Sequence, residues 1–361
     1  MGYKKKMKTK LLIIIPIIIT LAILAVIAYD SILLDKLCAD DGGKRIGDTC
    51  RIPIITNSTR DTLTDVEFSQ IKTMKPNSVE IFYYPNTDSE KPDPYQTFML
   101  IRLPEWMGGA ANDSSAFRAY SAKSLDDSCL VKYWPQDGRQ RIENPCQGSM
   151  YRVVDGAMTI GATHRSTAMT ALPHLDLTSD ENGFLYIEPP KWEKTENGVV
   201  GYGREMTLDE IRNGSAFLVE SFVKSYPDYP VIPIEFAGHI LSEISPDDYG
   251  VMVSYLDFPS KSGSISMTIS KSSLGFVTTN LAQSNSEFWQ IGNDIIKIGG
   301  SALDKNTDTP EHFRYYTIEF NNGINFRIEG KNLEFMKQEI VANYFPEYEY
   351  NDLFLISKTT G

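Results

Sequence analysis

Apolar side chains are most concentrated near the start of the chain, where residues 11–29 form a run of nineteen positions without a charge. At about 1.5 Å per residue in a helix, this run just crosses a hydrocarbon core of about 30 Å. Pro16 is tolerated inside such a span, and the five lysines before it predict a cytoplasmic N-terminus and an extracytoplasmic body. The alternative is a cleaved signal peptide, whose apolar region is shorter. The pattern favours an uncleaved single-pass anchor in the cell membrane.

Short apolar runs alternate with turn signals between residues 69 and 187. The turn signals include Asp137-Gly, Asp155-Gly and Asn182-Gly. This pattern is typical of an all-β domain. A polar, proline-containing segment, residues 188–198, then connects this part to the rest of the chain.

The pattern changes again near residue 206. Thr207 and Glu210 fit a capping box ahead of apolar residues at approximate helical spacing. The turn sequence Asn321-Asn-Gly323 lies between two alternating segments and predicts a β-hairpin. Asn332 precedes a further amphipathic segment, which stops before Pro346. The order of helix, sheet, hairpin and helix predicts a small α+β domain.

The charge distribution is uneven and limits the partners that the chain can take. The formal net charge is −12, and the five lysines before residue 11 contribute +5, so the remainder carries −17. Phosphate repels an acidic surface, which argues against nucleic-acid binding. We expect the membrane as a partner, through the N-terminal helix.

Two segments of the strand-rich region resemble the two ligand boxes of Rieske iron–sulfur domains. The first segment is Phe117-Arg-Ala-Tyr-Ser-Ala-Lys-Ser-Leu-Asp-Asp-Ser-Cys129, and the second is Pro145-Cys-Gln-Gly-Ser-Met-Tyr-Arg-Val-Val-Asp-Gly156. The family pattern is Cys-x-His-x-Gly-Cys in the first box and Cys-Pro-Cys-His-Gly-Ser in the second. The first Cys and the His of each box bind iron, and the remaining Cys residues form a disulfide beneath the cluster.

The resemblance implies that the scaffold is kept and all four cluster ligands are replaced. The cluster requires two thiolates on one iron and two imidazoles on the other. The disulfide positions hold Cys129 and Cys146. We therefore expect no cofactor, and a [2Fe–2S] cluster only if the ligands have been misidentified. The residues at the four ligand positions are Ser124, Asp126, Asn144 and Gln147.

Flanking segments extend the resemblance over about residues 62–204, closest in pattern to the arsenite oxidase small-subunit branch. A long insertion over Glu105–Ser115 departs from that pattern. The chain is thus predicted to be an all-β Rieske-like domain followed by a small α+β domain, behind a transmembrane helix. The predicted parts are a basic tail (1–10), the anchor (11–29), an extracytoplasmic stalk (30–61), the Rieske-like domain (62–204) and the α+β domain (205–361).

The four cysteines all follow the apolar run and allow three pairings. A short intervening loop favours Cys38–Cys50, and the Rieske resemblance implies Cys129–Cys146. Three glycosylation sequons also lie outside the run. They begin at Asn57, Asn112 and Asn213.

Other candidate sites have simpler interpretations. Oxygen groups of Asp126, Asp127, Asn144 and Gln147 offer ligands for Ca²⁺ or Mg²⁺, but such a site needs six to eight oxygens, so a solvated polar tip is favoured. The four histidines, at 164, 174, 239 and 312, fit no Cys–His ligand spacing. A redox-active dithiol usually has Cys-x-x-Cys at a helix start, which favours a structural disulfide for Cys129–Cys146.

Three hypotheses about function remain. The first is a non-catalytic, membrane-anchored protein whose cluster-free Rieske-like domain acts as a binding or structural module, as an accessory subunit of a membrane electron-transfer complex. The second is a functional Rieske electron-transfer protein. The third is an extracytoplasmic disulfide-redox or carrier protein. Sequence patterns indicate no catalytic residue.

Overall fold

A computed structural model represents the protein. It describes residues 29, 32–40, 43–46, 49–54, 73–84, 94–125, 127, 129–135, 140–161, 169–188, 203–248, 250–258, 264–270, 286–300, 314–319, 325–330 and 334–359. The described chain is mostly β-sheet with few helices, in agreement with the predicted class. Nearly all of the predicted anchor (residues 11–29), together with Asn57 and Asp126, lies outside the described residues. Within the described part of the chain, no helix has the length and apolar character needed to cross a membrane.

In the first half, up to residue 205, the described residues form helix α1 (residues 32–40) and fourteen strands in four sheets. The strands are β1 (Lys44–Ile46), β2 (Thr49–Pro53), β3 (Ser78–Tyr83), β4 (Thr97–Arg102), β5 (Phe117–Ser121), β6 (Lys132–Trp134), β7 (Arg141–Glu143), β8 (Met150–Arg152), β9 (Met158–Ile160), β10 (Thr170–Ala171), β11 (His174–Leu175), β12 (Leu177–Ser179), β13 (Leu185–Ile187) and β14 (Arg204–Glu205). Their orders are β1-β2-β13-β12, β11-β5-β4-β3, β6-β7-β8-β9 and β10-β14.

In the sheet β11-β5-β4-β3, strand β4 is buried on both faces because it is apolar at four successive positions, 98–101. All six residues of β4 are buried. Side chains alternate between the faces of a strand. Met99 and Ile101 accordingly enter one core cluster, while Phe98 and Leu100 enter another.

The second half begins with helix α2 (Leu208–Ser225), which the sequence predicted. The capping box is present: the Glu210 backbone N–H donates to the Thr207 hydroxyl, and the Glu210 carboxylate accepts from the Thr207 backbone N–H. The side chains that α2 buries recur at helical spacing and lie on one face. They are Ile211, Ser215, Leu218 and Phe222.

A nine-stranded antiparallel sheet and helix α3 (Glu334–Tyr344) complete the fold. The predicted hairpin is present as β21 paired with β22. The strands are β15 (Glu235–Phe236), β16 (His239–Pro246), β17 (Val251–Leu256), β18 (Ser264–Ser270), β19 (Ser286–Ile291), β20 (Asp294–Gly300), β21 (Arg314–Glu319), β22 (Asn325–Gly330) and β23 (Phe354–Thr359), in the order β15-β16-β17-β18-β22-β21-β20-β19-β23.

Packing joins segments that the sequence pattern assigned to different parts. Strand β2 of the predicted stalk pairs with β13. The predicted boundary between residues 204 and 205 falls inside β14, which pairs with β10. One buried cluster contains Met99 and Trp106 of the first half together with Leu218 and Phe222 of helix α2. The two halves therefore share a hydrophobic core.

Candidate functional site

Two loops meet where the sequence places the two Rieske-like boxes. The first loop follows β5 and is closed by the Ser124 N–H, which donates to the Cys129 carbonyl at 2.9 Å. The second connects β7 to β8, and the Asn144 N–H donates to the Ser149 carbonyl at 2.8 Å across its base. Gly148 has φ +76°, which favours glycine at this tight turn. We call these segments, residues 122–131 and 144–149, the paired loops.

Both disulfides expected from the sequence are present. Cys129 and Cys146 join the paired loops, with their Cα atoms 6.4 Å apart. Cys38 and Cys50 join helix α1 to strand β2, with a Cα–Cα distance of 5.5 Å. Cys146 is exposed, whereas Cys129 is half-buried. The disulfide between the loops can therefore be reached from solvent.

Two of the four predicted ligand positions lie together in the interior. Ser124 and Asn144 are 2% and 1% exposed, and the Asn144 side-chain amide donates to the Ser124 hydroxyl at 2.9 Å. Gln147 is exposed on the second loop and is not part of this pair. The positions that would supply the two thiolates of a Rieske centre are therefore occupied by a hydroxyl and an amide bonded to each other.

Asp127 connects the loops in a way that the sequence did not predict. Its carboxylate accepts from the Asn144 side-chain amide at 3.2 and 3.3 Å, and from the Cys129 N–H at 2.9 Å. The side-chain amide oxygen of Asn144, Oδ1, accepts in turn from the Cys146 N–H at 2.8 Å. The Lys123 ammonium donates to the Asp127 backbone carbonyl at 3.0 Å. Each loop therefore contains a turn closed by an Asp or Asn side chain, and the Asn144 amide joins the two loops.

The described donors do not fit a Rieske cluster. Such a cluster needs two thiolates and two imidazoles. The two cysteines of the paired loops are joined as a disulfide, and a disulfide sulfur is not a thiolate. His174 contacts the Asp176 carboxylate at 3.3 Å on β11, and His239 contacts the Ala237 carbonyl at 2.9 Å in the other half. His164 and His312 lie outside the described residues.

The same residues are a poor fit for a hard cation. Ca²⁺ prefers six to eight oxygen ligands. The amide oxygen of Asn144 already accepts a backbone N–H, and Gln147 is exposed. Among the described residues of the paired loops, Asp127 is the one that carries a carboxylate, so the loops offer fewer oxygen ligands than Ca²⁺ prefers.

The insertion over Glu105–Ser115 forms part of the contact between the halves. It begins with a 3-10 turn, Glu105–Met107, in which Trp106 and Met107 are buried. The Trp106 ring packs edge-on against Phe222, with centroids 6.4 Å apart, and the Ser225 hydroxyl donates to the Trp106 carbonyl at 3.2 Å. The departure from the Rieske pattern therefore has a packing role against helix α2.

Arg152 is a second contact between the halves that the sequence did not indicate. Its side chain is 2% exposed and forms an ion pair with Asp155. The guanidinium also donates to the Ser215 hydroxyl and to the Ile211 and Leu241 carbonyls, each at 3.0 Å. A cavity of about 20 Å³ beside Arg152 has room for about one water molecule. Side chains of both halves line this cavity, among them Tyr151 and Leu218.

The predicted glycosylation positions differ in their surroundings. Asn112 is exposed in a bend before a 3-10 turn. Asn213 is exposed on helix α2, but Ser215 of the same sequon is buried and donates to the Leu241 carbonyl at 2.6 Å.

Comparisons with known proteins find distant likenesses in structure. No protein-family model and no curated protein matches the chain. Among solved structures, the quaternary ammonium Rieske monooxygenase CntA with a bound inhibitor aligns over 83% of this chain and 76% of its own, at 7% identity and a TM-score of 0.24. The complex of CntA with L-carnitine aligns over the same shares, at 10% identity and a TM-score of 0.25. Likenesses this distant do not assign a ligand or an activity to this chain.

Proposed function

We propose that this chain is a non-catalytic, membrane-anchored extracytoplasmic protein whose Rieske-like β domain acts as a binding or structural module without an iron–sulfur cluster. The observation that carries the proposal is the buried hydrogen bond from Asn144 to Ser124. These residues stand at the positions that the Rieske pattern reserves for the two thiolate ligands. Their polar groups are bonded to each other.

The hydrogen bonds of the paired loops support a domain that is complete without metal. A buried polar group without a partner destabilises a fold by about 1–3 kcal/mol. In this site the nitrogen and the oxygen of the Asn144 side-chain amide both have partners. The Asp127 carboxylate accepts from two N–H groups. The network and the disulfide together supply the cross-links that a cluster would otherwise provide.

The membrane location of the proposal rests on the sequence. Five lysines precede the apolar run, and the rest of the chain carries −17. A protein held by one helix on the extracytoplasmic face of the cell membrane is suited to act as an accessory subunit beside a membrane electron-transfer complex. That role follows from the Rieske resemblance. Protease added to intact cells should digest residues 30–361, and complete protection of them would contradict this topology.

The decisive experiment measures iron in the protein as purified without oxygen. We expect no stoichiometric iron, no visible absorbance from a cluster and no Rieske-type paramagnetic signal after reduction. About two irons per chain with that signal would reject the proposal and favour an electron carrier.

A designed variant provides the positive control for the assay. It restores all four ligand types through Ser124→Cys, Asp126→His, Asn144→Cys and Gln147→His. A Rieske-like scaffold should then gain iron and the Rieske-type signal, whereas the parent chain prepared in the same way should not.

A further inference from the structure

The disulfide between the paired loops has a metal-ligating side chain beside it. One oxygen of the Asp127 carboxylate and the sulfurs of Cys129 and Cys146 all lie within 4.8 Å of one another. We propose that reduction of this disulfide creates a binding site for a thiophilic divalent cation, with Zn²⁺ as the reference ion. The site would be closed to metal in the oxidised protein and open in the reduced one.

The chemistry of the switch balances with a dithiol as the reductant. A thiolate of the dithiol attacks the exposed Cys146 sulfur or its partner, and the S–S bond breaks through a mixed disulfide. The dithiol leaves as its own disulfide, having given two electrons and two protons, and Cys129 and Cys146 become thiols. Zn²⁺ then binds both sulfurs as thiolates, and the two thiol protons go to solvent.

The paired loops have contacts that do not depend on the S–S bond. The Asn144 side chain links the loops through its bonds to Ser124 and Asp127, and its amide oxygen also accepts from the Cys146 N–H within its own loop. A backbone hydrogen bond between Ser124 and Cys129 closes the first loop. In the second loop, the backbone carbonyl of Asn144 accepts from the Gly148 N–H at 2.8 Å. We therefore expect the two thiols to stay adjacent after reduction, so that the metal meets a preformed pair.

The distances suit a tetrahedral ion. Zinc binds sulfur at about 2.3 Å and carboxylate oxygen at about 2.1 Å, which separates its ligand atoms by roughly 3.5–3.8 Å. After reduction the two sulfurs must move apart from a bonded distance of about 2.0 Å to about 3.8 Å, roughly 1 Å each, and the Asp127 oxygen already lies within 4.8 Å of both. Because Cys146 is exposed, a water molecule can occupy the fourth position. Asp127 can bind the ion while it still accepts from the Cys129 N–H, because a carboxylate has about four acceptor sites.

Charge and ligand type select the kind of ion. Two thiolates and a carboxylate carry −3, Zn²⁺ supplies +2, and the Lys123 ammonium, held at 3.0 Å from the Asp127 carbonyl, supplies +1. The local charge is then balanced. Thiolates are soft ligands that prefer Zn²⁺ over Ca²⁺ or Mg²⁺.

The test compares oxidised and reduced full-length protein, in detergent and without oxygen. Because Cys38 and Cys50 form a second dithiol on reduction, the test background carries Cys38→Ser and Cys50→Ser. A phosphine reductant avoids competition from an added thiol. Zn²⁺ affinity is measured by competition with a chromophoric chelator, and Co²⁺ gives a thiolate charge-transfer band and the visible bands of a tetrahedral ion. We expect one Zn²⁺ per reduced chain and none per oxidised chain.

Matched variants show whether Asp127 is a ligand of the ion or whether the two thiols alone bind it. Asp127→Asn keeps an acceptor for the Cys129 N–H but loses the anionic ligand, and should weaken Zn²⁺ binding at least tenfold. Asp113→Asn, a comparable Asx-turn residue outside the paired loops, should leave affinity unchanged. The reverse background, with Cys129→Ser and Cys146→Ser, tests the other dithiol and should bind more weakly.

Three outcomes would overturn the proposal. They are no Zn²⁺ uptake after reduction, equal affinity in the Asp127→Asn variant, and loss of the near-ultraviolet circular dichroism of the reduced metal-free protein, which would show that the loops depend on the disulfide. The iron measurement on oxidised protein is independent of these results. If the zinc site fails its test, the cluster-free assignment still stands. If iron is found in the oxidised protein, the zinc measurement still tests Asp127, Cys129 and Cys146 separately.

Discussion

Replacement of Arg152 by methionine tests whether the two halves are stabilised as one unit. The substitution keeps an apolar stem of similar reach but removes the guanidinium. It leaves Asp155, whose side chain is 13% exposed, without its ion-pair partner. Two carbonyls of the second half, those of Ile211 and Leu241, also lose a donor.

The size of the effect follows from what remains after the substitution. Breaking a buried ion pair by removing one partner destabilises by about 3–5 kcal/mol. The lower end applies here, because Asp155 still accepts from the Ala157 N–H at 3.0 Å. The Ser215 hydroxyl also remains beside the Ile211 and Leu241 carbonyls, at 3.0 and 2.6 Å. We therefore expect the free energy of unfolding to fall by about 3 kcal/mol.

The assay is urea unfolding of the full-length protein in detergent, followed by circular dichroism and by tryptophan fluorescence. The double variant Arg152→Met with Asp155→Asn removes the uncompensated charge, so it should recover at least about 1.5 kcal/mol relative to additivity. Arg141→Met is the control, because Arg141 pairs with Glu143 on the same strand, β7, and is more exposed. That change should lower stability by about 1 kcal/mol or less. A fall below about 1 kcal/mol for Arg152→Met, or strict additivity in the double variant, would refute the reasoning.

Three further changes should alter stability in defined directions. Burial raises the pKa of Tyr255 and Tyr344, so the stability that their neutral forms contribute is complete below about pH 10. Above that pH the free energy of unfolding, measured with urea, should fall by up to about 1.4 kcal/mol per pH unit for each tyrosine. Gly214→Ala places a Cβ against the Arg152 guanidinium and the carboxylate paired with it, and should destabilise by about 1–3 kcal/mol despite the better helix propensity of alanine. Cys129→Ser should lower the thermal midpoint by opening the disulfide between the loops, with a loss of about 2–5 kcal/mol.

Each of these changes has a control on the same element or in the same experiment. Tyr344→Phe should flatten the alkaline slope, and an unchanged slope would contradict its assignment. Asn213→Ala lies on the exposed face of the same helix as Gly214 and should be nearly neutral. Cys50→Ser opens the other disulfide, and its effect should add to that of Cys129→Ser because the two bonds share no residues.

The sequence alone determined the local elements and the pairing of the cysteines. The Thr207 cap, the hairpin around Asn321-Asn-Gly323 and the helix before Pro346 are each encoded by residues within one or two turns of each other. The resemblance to the two Rieske boxes also implied that the loops holding Cys129 and Cys146 would meet, and the disulfide joins them. Local propensity and motif spacing are sufficient for features of this kind.

The tertiary structure decided which side chains act together across the chain. Arg152 meets residues 63 and 89 positions away, and the Ser225 hydroxyl meets the Trp106 carbonyl across 119 positions. Periodicity shows which face of an element is buried, but not which partner covers it. The sequence placed Asp127 in a solvated polar tip with Asp126, Asn144 and Gln147, and it did not show that the Asp127 carboxylate accepts from a buried Asn144 amide beside the disulfide. The shared core and the chemistry of the paired loops are therefore products of packing.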